Sequence, residues 1–575
     1  MGAATELPTE VQDKIRQARE VQGRPHGQRF TEPTTVAAAL HQHALAYGTK
    51  PFLIYYDDQN HRRERSWIDF YVRVRITAKL LRDTFELRRG DRIITAMHNH
   101  DHAILLTFAA WHLGLTVVPL NMGEDDKRLG YILEHCGAKA LFVLKEYAER
   151  MRTLLASLST TIRHAVQVGD NYASGLYLSF EREVSLVKLD HEELHQPPAD
   201  AQADGAALIV YTSGTTGVPK GVVLSQYNLI ADAYAISRWH DLTPDKRMMC
   251  VLPIHHVNGL VVTHVTPVYY GGSVVLNRKF HTAAFFERIR RENVHVVSVV
   301  PTLLQFLTDG VSKDVDHKYV PSLSHLICGA GPLTVDLAAR FEDRFGVQVC
   351  HGYGLSETTC YASFLPIPSR TKAAAHNSWM RDHGFPSIGC AVETNDMAIH
   401  DDHGQPVPES QKGEIVIRGH NVMLGYANDV KANAGAFTHA WFRSGDEGFW
   451  KQGPDGKAYY FISGRLKELI IRGAVKISPL EIDEVINRMP ALQAGMAVGF
   501  EHRTYGEEVG AYCVKKPGVD VSAQQVLDFC RQHLAAHAAP KVVVFGETFP
   551  VTSTGKYQRN QLKTLFTQWK DAQFK

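Results

Sequence analysis

Ala206-Ala207-Leu208-Ile209-Val210-Tyr211-Thr212-Ser213-Gly214-Thr215-Thr216-Gly217-Val218-Pro219-Lys220-Gly221 is the stretch from which the rest of the chain can be read. Its first five residues are a continuous apolar run, the pattern of a strand buried on both faces. The eleven residues from Tyr211 to Gly221 then hold three glycines, four Ser/Thr hydroxyls and one lysine. Glycine lets the backbone turn with positive φ and brings N–H groups close to a ligand, while hydroxyls and lysine add donors; such a loop suits phosphate. Lys220 lies six residues from Gly214 and is followed by Gly221, so the P-loop pattern G-x-x-x-x-G-K-[ST] does not fit. A flexible surface loop is disfavoured, because linkers rarely interleave Thr, Gly, Pro and Lys directly after a buried strand.

The composition makes affinity for a phosphorylated ligand a local matter. With Lys+Arg 62 against Asp+Glu 61 the formal charge is +1, so no global field recruits nucleic acid or an anionic membrane. The 575 residues allow several domains, and 44% hydrophobic with 21% charged residues is ordinary for a soluble globular protein. No apolar run is long enough to span a bilayer, and the polar segment from Glu6 to Arg29 lacks a signal-peptide core, so no integral membrane segment is expected. Eight cysteines without a C-x-x-C pair argue for reduced thiols, a cytoplasmic location and no zinc.

Outward from the loop, α/β grammar prevails. On the amino-terminal side, strands such as 93–96 and 140–143 alternate with helices such as 104–113 and 127–136, after a docked or frayed terminal helix near 10–22. On the other side, Ser225 can cap a helix with Leu229, Ala233 and Ile236 at helical spacing, and strands are expected at 248–252, 294–300, 326–328 and 347–350. Glycine-rich turns follow several of these strands, and in an open parallel sheet ligands gather beyond the strands' carboxyl ends. Beyond Gly389 short strands divided by turns predict a β-rich subdomain. After Arg465 a smaller α+β segment contains Ser478-Pro479-Leu480-Glu481, which reads as a capping box with proline at the first helical position.

Seven motifs in order then resemble those of the adenylate-forming superfamily, which includes acyl-CoA synthetases, beetle luciferases and nonribosomal adenylation domains. They are the Tyr211–Gly221 loop; Leu113-Gly114 with Val118-Pro119-Leu120-Asn121; Pro253-Ile254-His255-His256-Val257-Asn258-Gly259; Gly352-Tyr353-Gly354-Leu355-Ser356-Glu357; Arg443-Ser444-Gly445-Asp446; Gly464-Arg465-Leu466-Lys467-Glu468-Leu469-Ile470; and Pro550-Val551-Thr552-Ser553-Thr554-Gly555-Lys556. The resemblance covers nearly the whole chain from about Pro51. It implies an α/β-plus-β fold: a large amino-terminal part, 1–464, of αβ-layered subdomains with the β-rich subdomain over 389–464, and a small mobile α+β domain, 465–575.

It also implies an ATP- and Mg²⁺-dependent carboxylate:CoA ligase, which forms an acyl-adenylate and then a CoA thioester. Thr212, Ser213, Gly214, Thr215 and Thr216 would hold the β- and γ-phosphates; Lys220 would join them or brace the loop against a carboxylate. Glu357 would ligate Mg²⁺, a hard cation that takes one or two protein carboxylates beside phosphate and water. Tyr353, between Gly352 and Gly354, would lie on the adenine face opposite Gly329, Ala330 and Gly331, and Ser356 stands where the family usually has Thr. Asp446 and Arg465 would bind the ribose, and Arg465 could instead reach a nearby phosphate. Lys556 would offset transition-state charge, a role whose loss costs ~10²- to 10³-fold elsewhere.

For the second step the resemblance makes Lys467 the hinge and His256 the gate between acid pocket and pantetheine tunnel. Acid-pocket candidates are His256, Val257, Asn258, Gly259, Gly329, Gly331, His351, Cys360 and Tyr361; with no basic side chain among them beyond histidine, they tilt towards a monocarboxylic acid, aliphatic or aromatic. Gly473-Ala474-Val475 departs from the family's Gly-Gly-Glu, and 358–388, with Arg370, Lys372 and Arg381, is longer than in compact relatives and reads as a solvated loop. A carrier-protein phosphopantetheine as acceptor, luciferase-like oxidation, and a nucleotide-binding regulator without catalysis are the alternatives. The sequence carries no signal for oligomeric state.

Overall fold

A computed structural model describes residues 7–169, 176–212, 218–311, 315–316, 318–473, 475–551 and 557–574. Among them lie three sheets of 13, 8 and 5 strands. The largest has a parallel middle: Ser273–Asn277, Arg247–Cys250, Val296–Val299, His325–Cys328 and Gln348–Tyr353 lie side by side in that order. Most residues of these strands are apolar and nearly all are buried, as a sheet covered on both faces requires. Their carboxyl ends run into Pro253–Gly259, Gly329–Gly331 and Gly354–Glu357. Three of the glycine-rich turns therefore share one edge of one sheet.

The same sheet continues, now antiparallel, through Ser363–Phe364 and Ser387–Ala391 to Ala458–Arg465, Phe442–Gln452, Gly413–Gly419 and Asn395–His400. The β-rich stretch thus hydrogen-bonds directly onto the α/β strands. The terminal helix, Thr9–Ala18, docks by burying Val11, Ile15 and Ala18.

The second sheet carries the phosphate loop, and here the structure adds an element. Ala206–Thr212 is the buried strand expected, but its neighbour is an antiparallel strand, Lys220–Ser225, with Thr212 opposite Lys220. The two flanks of the loop are thus antiparallel neighbours, where the sequence reading placed no second strand. A reciprocal capping box between Ser225 and Asn228 then starts the helix Gln226–Trp239. On its far side Lys220–Ser225 pairs with Gly425–Tyr426, from a distant part of the chain.

The third sheet is built within Ile470–Gly546 and has a core of its own. Its helix Pro479–Asn487 has proline at the first position as expected, but the capping box does not form. The Ser478 hydroxyl donates instead to the Ser463 carbonyl, and Glu481 pairs with Lys412. The solvated-loop expectation for 358–388 is likewise corrected: it contains the helix Ala373–Arg381, with Arg381 paired to Asp343 at 2.9 Å and Arg370 to Asp241. Among the described residues no helix is long and apolar enough to cross a membrane.

Candidate active site

Glu357 sits on a short 3-10 turn, Ser356–Thr358, at the end of the strand Gln348–Tyr353. Its backbone carbonyl accepts Met423 N–H at 2.8 Å, and its Oε1 accepts the Tyr426 hydroxyl at 2.8 Å. Burial and the adjacent Glu357 push the Tyr426 hydroxyl above its usual range, so it stays protonated and donates. The Lys220 ammonium lies 4.9 Å from the centre of the Tyr426 ring. Tyr426 thus joins the lysine of the phosphate hairpin to the carboxylate at the end of the other sheet, a cation–π contact on one side and a hydrogen bond on the other.

A second constellation meets the same strand end through Tyr353. Asp446 and Arg465 are cross-strand partners in the antiparallel half, and Arg465 Nε donates to Asp446 Oδ1 at 2.9 Å. Oδ2 accepts the Tyr353 hydroxyl at 2.7 Å. The Asp446 charge raises the arginine against the opposing effect of burial, and burial above all keeps Tyr353 protonated. Asp446 is only 4% exposed, and each of its oxygens, already hydrogen-bonded, keeps a second lone pair for a further donor. Ala330 holds φ +63°, uncommon for a residue with a Cβ, between Gly329 and Gly331. A Cβ at Gly329 would come within 2.7 Å of the Gly352 carbonyl, so the two turns touch backbone to backbone.

The His255 and His256 rings lie 4.5 Å apart in a loop after the Arg247–Cys250 strand. Burial lowers His255 to about 4. Val257 leads into a π-helix, Asn258–Val265, which begins with Asn258 and Gly259, a rare geometry that is frequent at functional sites. Cys360 and Tyr361 are buried behind it. His351 is 3% exposed and its Nδ1 lies 3.0 Å from the Ser387 carbonyl, which ties it into the sheet. Lys467 is exposed in the turn leaving the Ala458–Arg465 strand.

Ser213, Gly214, Thr215, Thr216 and Lys556 lie outside the described residues. Tyr557, next to Lys556, lines with Pro332, Leu333 and Thr334 a cavity between the third sheet and the Gly331 turn. Sequence reasoning missed Tyr426 and a buried trio, Asp232, Asn421 and Thr359. Asn421 Nδ2 donates to Asp232 Oδ1 at 3.0 Å, and the Asn421 carbonyl accepts Thr359 Oγ1 at 2.6 Å. Thr359 has φ +61°, an outlier for a β-branched residue, three residues from Ser356. No local pattern marks these residues, since each works through a partner distant in the chain.

A family model for AMP-binding enzymes matches residues 40–427, and one for the AMP-binding enzyme C-terminal domain matches residues 481–556. A sulfoacetate–CoA ligase of Cupriavidus necator is 32% identical over 478 residues, 83% of this chain and 88% of its own. A feruloyl-CoA synthase of an Amycolatopsis species is 30% identical over 481 residues, 84% of this chain and 90% of its own. Among solved structures, ATP-bound MatB from Rhodopseudomonas palustris matches with a TM-score of 0.79 at 24% identity, covering 92% of this chain and 99% of that one.

Proposed function

The chain belongs to the adenylate-forming AMP-binding enzyme family, and from that membership we propose that it works as an ATP-dependent, AMP-forming carboxylate:CoA ligase with the following division of labour. The observation that carries the assignment of roles is the convergence of Lys220–Tyr426–Glu357 and Tyr353–Asp446–Arg465 at the carboxyl end of one strand, Gln348–Tyr353. In the first step a carboxylate oxygen of the acid attacks the α-phosphorus of ATP, and the bond to pyrophosphate breaks. Negative charge grows on oxygens that need fixed positive partners. Lys220 and the hairpin hydroxyls hold the leaving group, Asp446 and Arg465 orient the ribose, and Tyr353 packs on the adenine.

Glu357 presents a hard carboxylate with one oxygen held by Tyr426, a donor that fits Mg²⁺ beside phosphate oxygens. Glu357 would hold the ion, which would offset charge on the phosphates. Lys556 is assigned the charge between acid and α-phosphate; the position of Tyr557 beside the Gly331 turn supports this. In the second step the thiol sulfur of CoA attacks the acyl carbon, the C–O bond to AMP breaks and AMP leaves. His256 gates the thiol's path and Lys467 is the hinge, with the domain boundary between residues 464 and 465, just ahead of the third sheet's strand Ile470–Arg472. Eight buried free thiols support a reducing, cytoplasmic setting.

The named relatives act on acids as different as sulfoacetate and ferulate, so kinship alone leaves the acid open. Pyrophosphate release and hydroxylamine trapping over a panel of acids test the first step, and none with any acid overturns the ligase assignment. Adding CoA or a carrier protein tests the second: adenylate that acylates only the carrier replaces CoA as the acceptor.

A further inference from the structure

Asn99 lies where two of the sheets meet, just past the strand Arg92–Ala96 of the second sheet, which also holds the flanks of the phosphate loop. Its side chain reaches across to the large sheet. Oδ1 accepts the Ile254 N–H at 2.9 Å, and Nδ2 donates to the Leu252 and Asn277 carbonyls, both at 2.9 Å. Asn99 is 4% exposed, and both N–H groups and the oxygen of its amide are engaged in these contacts.

Leu252 and Ile254 stand on either side of Pro253, at the start of the loop that carries His255 and His256. They lie beyond the strand Arg247–Cys250, whose ladders end at Cys250. The Asn99 amide continues the pairing there, accepting on one side of Pro253 and donating on the other as a neighbouring backbone would. The rest of the loop folds back on the same residue: His256 N–H donates to the Pro253 carbonyl at 3.2 Å, and a Cβ at Gly259 would lie 2.2 Å from that carbonyl oxygen. Moving Leu252 or Ile254 therefore moves Pro253, and His256 with it. The third partner, Asn277, ends the strand Ser273–Asn277 and donates through Nδ2 to the Cys250 carbonyl at 3.0 Å, so Asn99 is registered against the large sheet itself.

We infer that Asn99 is a positioning residue for the thioester step: it fixes the Pro253–Gly259 loop, and through the loop His256, against the frame of both sheets. The inference rests on the gating role proposed for His256 and adds to it a residue outside the seven motifs. Without the amide a buried N–H and two buried carbonyls lose this partner, and the loop has to shift to satisfy them elsewhere.

The test compares the two half-reactions in one preparation of the full chain, so that any unfolded fraction cancels in their ratio. The acyl-adenylate supplied is that of the acid most active in the pyrophosphate assay. Asn99→Ala should slow thioester formation from it and CoA by ~10-fold or more, and leave pyrophosphate release at saturating acid within ~3-fold of wild type. Asn99→Asp keeps the shape and the oxygen that faces Ile254 but loses both donors; it should show the same split, and covers the case in which Asn99→Ala fails to fold. Asn277→Ala removes an equally deep amide that bonds to Cys250 and to no residue of the His256 loop, so it should leave the ratio at the wild-type value. In a His256→Ala background Asn99→Ala should slow the thioester step by no more than ~2-fold further, because the two residues act along one route. Equal slowing of both half-reactions by Asn99→Ala, a ratio moved as far by Asn277→Ala, or a further ~10-fold loss in the His256→Ala background overturns the inference while leaving the role of His256 intact. Thioester formation unchanged by His256→Ala removes the gating role, and this inference with it.

Discussion

Glu484, in the helix Pro479–Asn487, accepts the Val335 backbone N–H with its two oxygens at 3.1 and 3.2 Å, and Val335 is the first residue of the helix Val335–Phe345 on the large sheet. The carboxyl is 4% exposed. It joins the small sheet's first helix to a helix N-terminus, where N–H groups lack intrahelical partners. Lys412–Glu481 and a Gln493–Asp309 hydrogen bond of 3.4 Å are the flanking ties. Replacing Glu484 by Ala removes a buried acceptor worth ~1–3 kcal/mol, so adenylation should slow roughly 5- to 160-fold if this orientation serves the first step. Thioester formation from supplied acyl-adenylate should be spared. Equal slowing of both half-reactions would show that Glu484 supports folding only.

The same contact carries a pH dependence. Burial raises the Glu484 carboxyl to about 8, helped by Asp483 and Asp336 and opposed by the Val335 N–H and Arg488. A carboxyl raised on packing favours its protonated form, so its contribution is full in acid and lost as pH rises through about 8. Adenylation should therefore fall relative to thioester formation as pH approaches and passes that value. In Glu484→Gln, which cannot ionise, the ratio should stay flat; a ratio that falls as steeply as in wild type would rule out this carboxyl as the cause.

Asp232 gives a stability prediction. It is fully buried under Tyr361, and burial lifts it to about 8 although the Asn421 amide and the Tyr361 N–H pull it down. Oδ2 has no hydrogen-bond partner among the described residues. Stability is full below the ordinary carboxylate range and is lost as pH rises towards about 8, by at most ~1.4 kcal/mol per pH unit. Asp232→Asn keeps the Oδ1 acceptor and never ionises. It should match wild type in acid and melt higher at alkaline pH. A variant that keeps the wild-type loss of melting temperature with rising pH would place the titrating group elsewhere.

Much of this arrangement is legible in the sequence, for a physical reason. Buried parallel strands such as Val296–Val299 are apolar whatever they face, and turns at their ends need glycine, so strand and motif order can be read locally. The hairpin strand Lys220–Ser225 was hidden because Pro219, Lys220 and Gly221 look like loop residues. Its ladder partner Gly425–Tyr426 comes from far along the chain. Tyr426 could not be read for the same reason: its value lies in touching both Lys220 and Glu357. The Ser478 cap failed because its hydroxyl turns to donate to a tertiary acceptor, the Ser463 carbonyl, and does not accept the local Glu481 N–H.

Tyr426 can be tested by removing one atom. Tyr426→Phe keeps the ring under Lys220 and deletes the hydroxyl that holds Glu357 Oε1. A carboxylate released from a charge-assisted bond loses ~1.5–3 kcal/mol of positioning, so half-saturation by Mg²⁺ should rise ~10- to 100-fold at saturating ATP. The acid's KM should move little. An unchanged Mg²⁺ titration would show that Glu357 does not depend on this hydroxyl.

The chain just beyond the terminal lysine motif is anchored by a buried ion pair, and that pair allows the role of Lys556 to be separated from folding. Arg559 Nη2 lies 2.6 Å from Asp483 Oδ2, and both residues are buried. Arg559 also donates to the Ala497 carbonyl, while Asp483 Oδ1 accepts Ala497 N–H at 2.6 Å, so the pair closes on one strand. Removing one partner of such a pair costs ~3–5 kcal/mol because the other charge stays buried alone. Arg559→Ala should therefore unfold the small sheet early, in limited proteolysis or hydrogen exchange over 470–574, and abolish adenylation with it. Replacing both partners by apolar residues, Asp483→Leu with Arg559→Met, removes the stranded charge and should recover much of the protection. Lys556→Ala should show the converse pattern, with wild-type protection over the same residues, adenylation lost by ~10²-fold or more, and thioester formation from supplied acyl-adenylate retained. If Lys556→Ala adenylates like wild type, the lysine is no part of the chemistry; if it unfolds like Arg559→Ala, its effect on rate is structural.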